Sequence, residues 1–173
     1  IGVGMGLTGE NVAERWQVTR EDQDQFAYES HQKALAGIRN GSFEAETTPY
    51  PVKTRLPGKD GEVKETERVV KDDEGARPDV NLEKLAKLRP VFAAKGSVTA
   101  GNSSQMSDGA AAVVVMSEKI LKQFNLKPMA RFVSFAVKGV PPEVMGIGPI
   151  EAIPAALEKA DLKLDDIDWI ELN

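Results

Sequence analysis

Apolar positions recur every three to four residues over much of the first forty, and that spacing predicts helices. Thr8 begins a short one through Trp16 (TGENVAERW), with Glu10 and Asn11 in a first turn that favours acidic and polar groups. Thr19 gives a clearer N-cap signal. Glu21 and Asp22 follow in the first turn, and Phe26, Ala27, Ser30, Ala34, Gly37 and Ile38 continue at 3–4 spacing until Gly41 supplies a stop. Glu29 and Lys33 stand in a favourable i,i+4 relation on this helix. Between Thr47 and Val70 the pattern becomes short, charged and β-branched, broken by Pro49, Pro51, Pro57, Gly58 and the Asp60-Gly61 pair. Asp-Gly between such runs predicts a hairpin or an exposed loop.

Asn81 next caps a brief helix, LEKLAKL, which must end near Pro90. The segment SVTAGNSSQMSDG is built from small polar residues and leads into residues 110–116, an unbroken apolar run rich in Ala and Val. Such a run predicts a strand buried on both faces, as in a sheet covered by helices. Ser117 caps a helix through Phe124; residues 131–140 read as a strand, 150–160 as a helix and 167–172 as a strand. The alternation over 110–172 predicts an α/β fold. There is no internal repeat and no low-complexity tract.

Composition narrows the function classes. The chain has 173 residues, 41% hydrophobic and 28% charged, which suits a globular protein with room for one full core. Its net charge is −5, distributed as −4 over residues 1–50, +2 over 51–100 and −3 over 101–173. Nucleic-acid binders are usually basic, so no nucleic-acid partner is expected. The middle stretch alone leans towards an anion, and a solvated loop surface explains that lean as well. The longest apolar run is far short of a membrane span, so no span is expected, and no secretory signal is visible. The chain starts at Ile1 rather than Met and ends in an apolar, strand-like IDWIELN, so both ends are expected to be cuts through a longer chain.

With no cysteine, disulfides, thiolate-metal sites and a cysteine nucleophile are excluded within these 173 residues. His31 is the only histidine, and it lies mid-helix away from other ligand types, as a surface or half-buried helix residue. Gly2, Gly4 and Gly6 are spaced GxGxG, not GxGxxG, and no strand precedes them in the chain, so they do not make a dinucleotide loop. Asp165, Asp166 and Asp168 read as solvated turn residues; no metal is expected. Ser103 and Ser104 lack a GxSxG elbow and a nearby base. The loop from Thr99 to Gly109 is the better candidate, because small side chains beside a predicted strand let a ligand approach the backbone. A tight, turn-rich connection would look the same.

The stretch LRPVFAAKGSVTAGNSSQMSDGAAAVVVMS, from Leu88 to Ser117, closely resembles the thiolase family. The upstream MGLTGENVAERWQVTREDQDQFAYESHQKA and the downstream VMGIGP and ELN fit the same family in the same order. GNSSQ-SDGA, and Gly4 ahead of Met5 where biosynthetic members tend to have His, look most like degradative 3-ketoacyl-CoA thiolases. The resemblance implies a layered αβαβα fold of two α/β halves with an inserted loop domain. Residues 1–105 would be the loop domain that clasps coenzyme A, 106–129 the end of the first half and 130–173 the start of the second. It implies an acyltransferase that thiolyses 3-ketoacyl-CoA through a Cys-bound acyl intermediate, with CoA as a substrate and no cofactor. The Cys and His of that mechanism are not expected within this chain, which alone should be inactive.

Site residues follow from the same resemblance. Asn173 matches the Asn of an NEAF motif that orients a water in an oxyanion hole; the chain stops there, before the Glu-Ala-Phe. Ala100 and Ser104 match positions lining the pantetheine arm, and Phe92 and Met145 match apolar contacts to it. Core packing is the other reading of Phe92 and Met145. Arg77 matches a basic residue near the nucleotide end of CoA, Lys84 stands where some relatives have Ser, and Met5 lines the acyl pocket. The resemblance implies a homodimer or homotetramer, in the cytoplasm or alternatively the peroxisome. An acetoacetyl-CoA thiolase, or a non-catalytic CoA-binding module, are the other functions weighed.

Overall fold

The computed structural model describes residues 2–58 and 61–173. Five α-helices and one antiparallel hairpin appear among them: α1 Met5–Trp16, α2 Arg20–Arg39, β1 Tyr50–Pro57, β2 Val63–Val70, α3 Leu82–Ala86, α4 Glu118–Phe124 and α5 Gly148–Ala160. Two compact units result. The first holds residues 1–18, 92–96 and 106–173, the second residues 19–91 and 97–105.

Local signals decide the helix starts in the second unit. Thr19 caps α2 through a reciprocal box: its Oγ1 accepts the Asp22 N–H at 3.1 Å, and Asp22 Oδ2 accepts the Thr19 N–H at 3.2 Å. Asn81 Oδ1 accepts the Lys84 N–H at 2.9 Å and caps α3. The apolar spacing picks out the inner face of α2 only in part: Ala27, Ala34 and Gly37 are half-buried, while Ser30 and Ile38 are exposed. Phe26 is exposed, and Gln23, Asp24, Ala27, Tyr28 and His31 face inward. Glu29 accepts a bond from Gln25 Nε2 at 2.7 Å, one turn earlier, rather than pairing with Lys33.

The hairpin pairs Tyr50 with Val70 through to Pro57 with Val63. Its surface carries a charge ladder, with Arg55 Nε 2.9 Å and Lys53 Nζ 4.0 Å from Glu65, and Lys53 Nζ 3.8 Å from Glu67. Exposed pairs of this kind give register more than stability. Beyond β1 the Gly58 N–H donates to Glu62 O at 2.6 Å. Asp60 of the expected Asp-Gly turn lies outside the described residues, while Gly61 takes the left-handed φ of +80° that favours glycine.

In the first unit α1 begins three residues before the expected cap. Gly4 is its N-cap, and Thr8 is buried inside the helix, its Oγ1 donating to Met5 O at 2.8 Å. The helix packs on a 3₁₀ turn, Pro142–Ile147, whose Val144 is 2% exposed. Asn11 Nδ2 donates to Glu143 O at 2.9 Å across that contact. Ser117 caps α4 as expected, its Oγ accepting the Ile120 N–H.

The three strands expected at 110–116, 131–140 and 167–172 do not form. Val113, Val114 and Val115 are 85–87% exposed instead of buried on both faces. A parallel strand is held by neighbours on both edges and by helices on its faces, and the described residues supply no pairing strand here. The accessible surface is 15152 Å². A folded monomer of this mass exposes roughly 8,300 Å², and two separate folded halves roughly 10,000 Å². Exposed apolar side chains run along the whole chain, Phe26, Val63, Val113 and Phe132 among them. In the C-terminal region α5 and the residues around it frame an apolar hollow of about 810 Å³ that includes Phe132, Ile153, Leu157 and Trp169.

Candidate functional site

The loop from Ser97 to Ser103 is held by a buried polar network inside the second unit. Thr99 is fully buried, and Asn102 organises the turn around it. Asn102 Oδ1 accepts the Thr99 N–H at 2.7 Å, and its Nδ2 donates to Ser97 O and to Asp24 Oδ1, both at 3.0 Å. Thr99 Oγ1 accepts the N–H groups of Gly101 and Asn102 at 3.2 and 3.3 Å, and Ser103 Oγ donates to Thr99 O at 2.7 Å. Gly101 leaves room for the packing beneath, since a Cβ there would press on the Leu85 and Leu88 side chains.

Asp24, only 5% exposed, carries the network into α2. Its Oδ2 accepts from Arg20 Nε at 2.8 Å, and Arg20 Nη2 reaches Leu85 O at 2.6 Å and Leu88 O at 3.0 Å. Gln23 Nε2 donates to Ser97 Oγ at 2.8 Å. A buried carboxylate is tolerated only when paired and hydrogen-bonded, and Asp24 is both. The consequence is a well-tied loop whose outer residues, Ala100 and Ser104, are exposed. Ser103 is committed to the turn and is not available as a nucleophile.

Arg77 lies in the same unit on the segment before α3. Its backbone N–H donates to His31 Nδ1 at 3.2 Å, and its Nε lies 3.3 Å from Asp79 Oδ1. Lys84 Nζ reaches Asp79 Oδ2 at 3.3 Å and Asp79 O at 2.9 Å. The Arg77 guanidinium, and after it the Lys84 ammonium, hold the Asp79 carboxyl below its ordinary range. Two exposed cations thus share the Asp79 carboxylate.

In the first unit, Phe92 lays its ring against Gly6 in the first turn of α1, where any Cβ would overlap the ring. Met5 opens the same turn and is exposed, and Met145 sits on the 3₁₀ turn that packs against α1. Met5, Phe92 and Met145 are thus gathered around one helix, all partly open to solvent. Asn173 is exposed at the end of the chain. Asp166 Oδ2 accepts the Lys163 N–H at 2.8 Å in a turn. Among the described residues no three His, Cys, Asp or Glu groups gather as a metal site, and no helix is long and apolar enough to cross a membrane.

The residues that hold the loop, Arg20, Asp24, Thr99 and Asn102, were not singled out from the sequence. The available signal was the Arg20–Asp24 i,i+4 pair on a face with Ala27, Tyr28 and His31, where a lone carboxylate needs a partner.

Residues 2–119 match the family described as "Thiolase, N-terminal domain", and residues 126–173 match "Thiolase, C-terminal domain". The chain belongs to the thiolase family. The 3-ketoacyl-CoA thiolase of Bacillus subtilis (strain 168) is 50% identical over 171 residues, which are 99% of this chain and 44% of that protein. The peroxisomal 3-ketoacyl-CoA thiolase B of Mus musculus is 49% identical over 171 residues, 99% of this chain and 39% of that one. The crystal structure of the Bacillus anthracis acetyl-CoA acetyltransferase superposes with a TM-score of 0.83 at 44% identity, covering 96% of this chain and 40% of that one. The chain therefore spans less than half the length of these relatives and has the thiolase fold over its extent. The missing ladders at 110–116, 131–140 and 167–172 leave that likeness standing, because the path of the chain is shared even where strands are unpaired.

Proposed function

We propose that this protein is an acyltransferase that cleaves 3-ketoacyl-CoA with CoA to acetyl-CoA and a shortened acyl-CoA. The observation that carries the reading is the 50% identity across 171 residues to a relative named 3-ketoacyl-CoA thiolase. In this chemistry a thiolate attacks the 3-keto carbonyl, the C2–C3 bond breaks, and the departing enolate takes a proton to become acetyl-CoA. A second thiolate, that of free CoA, then takes the acyl group from the enzyme thioester. The 173 residues contain no cysteine, so the nucleophile is assigned to none of them.

What this chain contributes in the proposal is substrate holding. Arg77 meets the nucleotide end of CoA with its exposed charge, and Ala100 and Ser104 line the pantetheine arm from the loop that Asn102 and Asp24 hold in shape. Phe92 and Met145 give the arm apolar contact, Met5 lines the acyl pocket, and Asn173 orients a water in an oxyanion hole. Residues 1–105 serve as the CoA-clasping loop domain, 106–129 close the first half and 130–173 open the second. CoA is a substrate and no cofactor takes part; the protein works as a homodimer or homotetramer, in the cytoplasm. A peroxisomal setting is the alternative, in line with the name of the mouse relative.

The test is turnover. Acetoacetyl-CoA and a long-chain 3-ketoacyl-CoA, each with CoA, are compared for the complete enzyme, and faster cleavage of the long substrate is expected. Exclusive use of acetoacetyl-CoA would favour the second reading, an acetoacetyl-CoA thiolase, which the likeness to the Bacillus anthracis acetyltransferase supports. The 173-residue polypeptide by itself should show no turnover above a buffer control. Saturable CoA binding by a natural protein of this length without turnover would favour a CoA-binding module.

A further inference from the structure

Two side chains of α2 are engaged by the two segments that the proposed function assigns to coenzyme A. Asp24 Oδ1 accepts Asn102 Nδ2 at 3.0 Å and so secures the loop bearing Ala100 and Ser104. His31 Nδ1 accepts the backbone N–H of Arg77 at 3.2 Å and secures the segment bearing the guanidinium. Residues 24 and 31 are seven apart, two turns of helix, so they lie on one face with a rise of roughly 10 Å between them. Asp24 is buried and His31 half-buried, and neither is assigned a part in the chemistry.

We infer that α2 is a two-point ruler for the ligand: Asp24 and His31 are positioning residues that fix the pantetheine-bearing loop and the nucleotide-bearing segment at a set spacing. The inference rests on reading Arg77, Ala100 and Ser104 as coenzyme A contacts. The two anchors differ in a way that makes them separable. Asp24 acts through a side-chain network of Asn102, Ser97 and Thr99, backed by Arg20. His31 acts through one bond to a main-chain N–H, for which an unprotonated ring nitrogen is needed, because a protonated Nδ1 has no lone pair to accept it. Asp79 and Lys84, which share the Arg77 guanidinium's surroundings, set where that side chain points once its backbone is fixed.

Calorimetric titration of the complete enzyme with coenzyme A and with pantetheine, which lacks the nucleotide, tests this. Wild type should bind coenzyme A more tightly than pantetheine. His31→Leu should weaken coenzyme A by roughly tenfold, the worth of one hydrogen bond, and leave pantetheine unchanged. His31→Asn, whose Oδ1 is carried on Cγ as Nδ1 is and can accept the same N–H, should restore most of that loss. Asp24→Ala should weaken both ligands by a similar factor. If Asp24→Ala fails to fold by circular dichroism, the two His31 variants carry the decision. An equal loss for both ligands in His31→Leu, or no rescue by His31→Asn, overturns the inference. If wild type binds neither ligand, the coenzyme A reading itself fails, and amide exchange then decides the anchoring. Selective acceleration at Arg77 in His31→Leu would sustain it, and an unchanged rate would refute it.

Discussion

Asn102→Ala is the sharpest stability test of the loop. The substitution removes three bonds at once: the acceptor for the Thr99 N–H at 2.7 Å, and the donors to Ser97 O and Asp24 Oδ1 at 3.0 Å. Thr99 is fully buried, so its N–H is left unsatisfied, at a cost of about 1–3 kcal/mol. Asp24 keeps Arg20 on Oδ2 but loses its partner on Oδ1, and a hydrogen bond to a charged group is worth about 1.5–3 kcal/mol. Asn102 is half-buried, so water recovers part of this, and the net expectation is a loss of about 3 kcal/mol. With a urea slope of about 1–3 kcal/mol/M, the unfolding midpoint followed by circular dichroism should fall by about 1–3 M. Asn102→Asp makes the contrast: it keeps an oxygen for Thr99 but sets a second carboxylate against Asp24, and should be no better than alanine. A midpoint change in Asn102→Ala equivalent to under about 0.5 kcal/mol would refute the reasoning, since it would mean the network contributes nothing beyond surface contacts.

Further outcomes follow from the charges and from the exposed apolar run. The Thr19 hydroxyl, and then its backbone N–H, hold the Asp22 carboxyl below its ordinary value. A carboxyl lowered on folding adds stability above the unfolded value near 4, and that part is lost as pH falls through the folded value. Thr19→Ala should therefore lower the thermal midpoint at pH 7, with the wild-type advantage shrinking as pH falls below 4; an unchanged midpoint at pH 7 would refute the capping role. Asp79 should titrate below the usual carboxylate range in carbon-13 spectra, and Arg77→Ala should move it upward; no movement would show that the Arg77 contact is not formed in solution. Amides of Val113, Val114 and Val115 should exchange as fast as an unstructured peptide, and the chain should bind a hydrophobic dye strongly. Protection at those valines would mean that a strand does pair there.

What the sequence determined by itself is local. A cap needs a side chain three residues from the N–H it bonds, so Thr19, Asn81 and Ser117 could be read directly, and each caps its helix. The hairpin was legible as one of two readings, beside an exposed loop, because Pro and Gly punctuation and charged β-branched runs act over a few residues. The GNSS motif pointed to the loop that the proposed function assigns to coenzyme A, though not to what holds it. Asp24 and Asn102 are 78 positions apart, and nothing in the spacing of either says that they meet. His31 looked like an ordinary helix residue until the fold set the Arg77 N–H against it, 46 positions away. The apolar runs at 110–116 and 131–140 show the same limit from the other side. Their composition is that of buried strands, but a strand exists only when another strand accepts its hydrogen bonds, and that is a fact of tertiary structure which no run of Ala and Val can supply alone.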